Sequence, residues 1–95
     1  MKDIKNIEGL FCDKPSSILV LFILGKRNLR QTDIYKELDI HFSCVYILIK
    51  FLIKKELVVK LPLIGNKREM YFGLTDKGKQ IYKHLVNIEM VIETG

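Results

Sequence analysis

The chain has 95 residues, enough for one domain around one modest hydrophobic core and too few for two. Apolar residues make up 48% and charged residues 28%, a folded rather than a disordered composition. The longest apolar run, Ile18 to Leu24, is far short of the roughly 20 residues a bilayer span needs, so no membrane segment is expected. Residues 1–9 mix acids with lysines and have no apolar stretch of the signal-peptide kind, so a cytoplasmic protein is expected.

The net charge of +5 is unevenly placed. Residues 1–25 are neutral, residues 26–68 carry +6 and residues 69–95 carry −1. A basic middle segment points to a polyanion-facing surface, against the plainer reading of a solvated lysine-rich face. Cys12 and Cys44 are too few for a disulfide framework. His41 and Cys44, with His84 or Cys12, could be imagined as metal ligands. Zinc sites, however, bring paired ligands at short spacing and only one such pair exists, so no metal or cofactor is expected.

Residues 1–13 show no clear period and read as an N-terminal arm, either extended or a short turn of helix. Asp13 to Ser17 offers capping groups with Pro15 tolerable in a first turn. The run 18–24 fits a buried strand or a central helix by its apolarity alone. The caps before it and Gly25 after it favour a helix that stops at the glycine. Lys26 to Arg30 reads as a basic turn. A second helix is predicted from Gln31 or Thr32 to Leu38, with Thr32 as its cap and Ile34, Tyr35 and Leu38 at helical spacing. After a break at Asp39 to Phe42, Ser43 is predicted to cap a third helix reaching about Lys55. Two short helices joined by about four residues form a helix-turn-helix pattern.

Leu57 to Leu61 and Met70 to Phe72 read as strands of a hairpin, with turn chemistry at Gly65 to Arg68. Thr75 is the predicted cap of a last helix that continues to about Thr94. In it Ile81, Leu85, Ile88 and Ile92 recur at steps of four, three and four, the spacing of a helix that packs on another helix. The seam either packs back on the first helix or pairs with its twin in a second subunit, and the length of the helix favours the homodimer. The expected fold is therefore mainly α with a small β-hairpin wing. Residues 1–13 form the arm, 14–75 the winged helix-turn-helix unit and 76–95 a C-terminal dimerisation helix.

Three successive stretches of residues 43–78 carry a family resemblance. They are Ser43-Cys-Val-Tyr-Ile-Leu-Ile-Lys-Phe-Leu-Ile-Lys-Lys-Glu-Leu-Val58, Pro62-Leu-Ile-Gly-Asn-Lys-Arg68 and Leu74-Thr-Asp-Lys-Gly78. They resemble the winged helix domains of the multiple-antibiotic-resistance-regulator (MarR) family, in its small cap residue, its basic wing tip and its Leu-Thr-Glu-Lys-Gly helix start. The chain departs from the family pattern at Glu56, where glycine is usual, and at Asn66, where aspartate is usual. Only about 13 residues precede the first helix, so a minimal winged helix closed by its C-terminal helix is the nearer comparison. The resemblance implies a DNA-binding transcriptional regulator.

On a helical wheel, Val45, Leu48, Ile49 and Leu52 form the core face of the third helix. Ser43, Tyr46, Ile47, Lys50 and Lys54 form the opposite face, which in helix-turn-helix proteins enters the major groove. Lys50 would donate to guanine or sit on a phosphate, Tyr46 would reach a phosphate and Ile47 would touch a thymine methyl. Lys67 and Arg68 at the wing tip would follow the backbone or enter the minor groove. Lys26, Arg27 and Arg30 would bind flanking phosphates. The expected partner is double-stranded DNA, bound by a homodimer. No nucleophile–base pair or phosphate-cradling glycine loop can be assembled, so no enzyme is expected. Two alternatives stand beside this reading: a winged helix that binds protein through its apolar third helix, and an architectural DNA binder with little sequence preference.

Overall fold

The computed structural model describes the backbone of residues 5–63 and 66–94, and the side chains of 7–61 and 70–94. From Lys5 the arm is helical rather than extended: α1 (Lys5–Glu8) runs on into a π-helical turn at Gly9–Asp13. Leu10 anchors it on the core, and the buried Ser17 hydroxyl donates to the Lys14 carbonyl at 2.6 Å. The apolar run becomes α2 (Ser16–Lys26), with Val20, Leu21 and Leu24 buried at helical spacing.

Gly25 is not the stop predicted for it, because the helix continues through it to Lys26. Its role is close approach: a Cβ there would stand 2.3 Å from ring carbons of Tyr82. The turn after α2 holds a two-residue strand, β1 (Leu29–Arg30), which the sequence did not announce. Leu29 is buried and pairs with Phe72.

The helix-turn-helix consists of α3 (Gln31–Leu38) and α4 (Phe42–Lys54). Their caps differ from those predicted. Asp33, not Thr32, satisfies the start of α3, its carboxylate accepting from the Arg30 backbone N–H at 3.1 Å. His41, not Ser43, is the N-cap of α4: its Nδ1 accepts from the Ser43 N–H at 3.2 Å. Asp39 ends α3 in the left-handed conformation that its short polar side chain tolerates.

β2 (Val58–Leu63) and β3 (Asn66–Leu74) pair antiparallel, Val58 opposite Leu74 and Lys60 opposite Phe72, and β1 adds to the far side in the order β1-β3-β2. Pro62, which cannot donate to a ladder, lies on the edge strand beside a register shift. α5 (Asp76–Thr94) starts on a tight junction. Thr75 caps it as predicted, accepting from Gly78 N at 3.1 Å while its hydroxyl donates to the Glu56 carbonyl at 2.6 Å. Gly78 is required here because a Cβ would meet the Leu57 carbonyl oxygen at 2.2 Å.

One core unites α2, α3, α4, the sheet and the first half of α5. Val45, Leu48, Ile49 and Leu52 of α4 all point into it.

Candidate nucleic-acid interface

With its core face buried, α4 leaves Ser43, Tyr46, Ile47, Lys50 and Lys54 exposed together on the other side. Ile47, at the centre of the face, is 55% exposed. Two polar side chains on this face have partners within the chain. Ser43 Oγ lies 2.7 Å from His41 Nδ1, and the Lys50 ammonium sits over the Tyr46 ring, 5.2 Å from its centroid. Phe42 flanks the face and makes an edge contact with Tyr35 of α3.

Between α4 and the sheet lies a concave cleft of about 660 Å³. Tyr46, Ile49, Ile53, Met70 and Phe72 contribute its apolar walls, and Arg30, Lys50, Lys54 and Lys60 its charge. No carboxylate is among the described residues that line it. Such a cleft concentrates positive potential beside the exposed face of α4. Lys60 was missed in the sequence because a single lysine inside a strand carries no motif. Only the pairing of β2 with β3 brings it opposite α4.

The basic turn before α3 behaves differently from a row of free cations. Arg27 pairs with Glu37 at 2.9 Å and Arg30 with Asp33 at 3.0 Å, both salt bridges spanning into α3. Hydrogen bonds from the Arg30 side chain, then from its backbone, hold the Asp33 carboxyl below the usual aspartate value. Lys26 is exposed at the end of α2. The side chains of Lys67 and Arg68, at the start of β3, lie outside the described residues, as does the turn at Gly65.

The C-terminal seam divides. Leu85 is buried in the chain's own core and Ile81 is half-buried against it, so both pack internally. Tyr82 reinforces the junction through an edge contact with Phe22 of α2. Beyond it, Ile88 is 50% and Ile92 69% exposed, with Met90 and Val91 also open.

Cys12 and Cys44 are both exposed free thiols. Among the described residues no group of three or more His, Cys, Asp or Glu could hold a metal ion. No described helix is long and apolar enough to cross a membrane.

Comparison with known proteins agrees with this architecture. No curated protein matches the sequence. Among solved structures, the chain is similar to the adhesin competence repressor AdcR of Streptococcus pyogenes, with 26% identity and a TM-score of 0.74, over 83% of this chain and 60% of that one. It is also similar in fold to a variant of ZitR from Lactococcus lactis, with 22% identity and a TM-score of 0.75, over 83% of this chain and 55% of that one. MarR of E. coli aligns at 21% identity with a TM-score of 0.69, over 74% of this chain and 52% of that one. The chain thus spans between half and three-fifths of the length of these proteins. A model of the winged helix-turn-helix family matches residues 17–93, and the chain belongs to that family.

Proposed function

We propose that the chain is a DNA-binding transcriptional regulator that docks α4 in the major groove and sets its basic wing on the backbone or in the adjacent minor groove. The observation that carries this is the cationic cleft of Arg30, Lys50, Lys54 and Lys60 bordering the exposed face of α4. Lysines gathered on one concave surface can neutralise phosphates, which releases counterions on binding. Lys67 and Arg68 extend the same charge by sequence, and Lys26 offers a flanking contact. Arg27 and Arg30 first have to share or exchange their α3 carboxylates, so they contribute less than the lysines.

The same proposal includes a homodimer through the outer half of α5. Ile88, Met90, Val91 and Ile92 form an apolar end on a helix whose first half is already anchored. A two-fold arrangement of this kind would recognise half-sites one or more helical turns apart.

A second reading draws on a specific observation: Phe42, Tyr46 and Ile47 are apolar and exposed on the outward side of α4. That surface would also suit a protein partner. Lysine is depleted at the centre of protein interfaces, and Lys50 and Lys54 lie within this face, which favours nucleic acid.

Fluorescence titration of labelled duplex DNA at low salt tests the proposal. Binding that weakens steeply with added salt is expected, and no binding below about 100 mM salt would refute it in favour of the protein partner. If the chain binds, different sequences are expected to compete unequally at one salt concentration, and equal competition would mark an architectural binder with little sequence preference.

A further inference from the structure

The face of α4 proposed to meet the bases has few groups suited to reading base edges. From Phe42 to Lys54 the helix contains no Arg, Asn, Gln, Asp or Glu, and its donors are Ser43, the Tyr46 hydroxyl, Lys50 and Lys54. Two of these polar side chains already have partners within the chain. Ser43 Oγ stands 2.7 Å from His41 Nδ1, whose lone pair also takes the Ser43 N–H. The Lys50 ammonium rests on the Tyr46 ring. What this face offers freely is apolar surface: Ile47 at its centre, with Tyr46 beside it and Phe42 on its flank.

The major groove presents one apolar group on the base edges, the C5-methyl of thymine. We infer that α4 reads thymine methyl groups through Ile47, flanked by Tyr46, and that the chain favours duplexes rich in such methyls over duplexes without them. This rests on the docking of α4 in the major groove proposed above. The cations around the patch support DNA as the occupant: Lys50 and Lys54 lie on the same face, and Arg30 and Lys60 line the adjoining cleft. Phosphates on either side of a groove would meet these charges while the apolar centre meets the methyls. Burying one methyl against Ile47 is worth about a fourfold gain in affinity.

Alternating dA-dT and dA-dU duplexes differ only in the thymine methyl, and alternating dG-dC duplexes can be made with or without a 5-methyl group on cytosine. Competition titrations at one fixed salt concentration are expected to rank dA-dT above dA-dU, by about fourfold for each methyl contacted. The 5-methyl group is expected to raise affinity for dG-dC as well, because it projects into the same groove. Ile47→Ala, at an exposed position that leaves the core intact, is expected to bind dA-dT and dA-dU alike. Equal, salt-dependent binding of dA-dT and dA-dU by the unaltered chain would overturn the methyl reading while leaving DNA binding in place. A dA-dT preference that survives Ile47→Ala would overturn the assignment to Ile47. Failure to bind any of the four duplexes would overturn both the inference and the docking on which it rests.

Discussion

Tyr82 fills the space that a side chain at Gly25 would occupy, its ring carbons 2.3 Å from where a Cβ would stand. This contact seats α5 on α2 and sets the angle at which the C-terminal helix leaves the domain. Gly25→Ala should therefore destabilise the chain by about 1–3 kcal/mol through overpacking. That outweighs the helix propensity gained, which is worth at most about 1 kcal/mol. Urea unfolding measures it, and combining Gly25→Ala with Tyr82→Ala should cost less than the two single changes together. Strict additivity would show that the ring and the glycine do not constrain each other.

Glu56 follows α4 with φ at 63°, a left-handed backbone that disfavours a Cβ. The carbonyl of this residue accepts the Thr75 hydroxyl, so the conformation is locked by the junction to α5. The family's glycine at this position thus has a direct physical cause. Glu56→Gly should stabilise the chain by about 1 kcal/mol and raise Tm by roughly 4–8 °C. The ion pair it removes, Glu56 with Lys77 at 3.6 Å, is exposed and contributes little. A lower Tm would contradict the account.

The start of α3 should be acid-sensitive. Asp33 is held below its ordinary value of 3.8, first by the Arg30 side-chain hydrogen bond and then by the Arg30 backbone N–H. A folded-state pKa below the unfolded one means that the unfolded chain takes up the proton first as pH falls. The stabilisation is thus complete above 3.8 and is lost as pH drops through the lower folded value. Asp33→Asn, which keeps an acceptor for the Arg30 N–H but removes the charge paired with the Arg30 side chain, should be less stable than the unaltered chain at neutral pH. The gap between variant and unaltered chain should close in acid. A gap that is constant with pH in urea unfolding would contradict this.

The architecture was largely legible in the sequence, whereas the site was legible only in part. Periodicity located α3, α4 and α5, most clearly in α4, which buries Val45, Leu48, Ile49 and Leu52, whereas the continuous apolar run of α2 was read as a helix from its flanking caps and glycine. Local chemistry was harder. His41 caps α4 and Asp33 caps α3 from positions where Ser43 and Thr32 had the better intrinsic preference, because tertiary packing fixes which backbone enters the helix. β1 is too short to carry a pattern. Gly25 carries the same letter whether it ends a helix or admits a ring. The charge of the middle segment was visible, but its division was not: Arg27 and Arg30 pair with α3 acids, while Lys60 joins Lys50 and Lys54 across the cleft.

The seam of α5 makes a prediction with two distinguishable arms. Ile88→Glu with Ile92→Glu should convert a dimer to a monomer in sedimentation while leaving the helical signal intact. Leu85→Glu should unfold the chain instead, because it forces an unpaired charge into the core. A chain that remains dimeric with both outer changes would remove α5 from the interface.

The central claim is that α4 and its neighbouring cleft face the phosphates of duplex DNA. Its most direct test is the slope of log affinity against log salt, measured for the unaltered chain and for the triple change Lys50→Ala, Lys54→Ala and Lys60→Ala. Each phosphate contact contributes about 0.9 to that slope, so the triple variant should be shallower by up to about 2.7 per domain. A slope that does not change when these three lysines are removed would contradict the account.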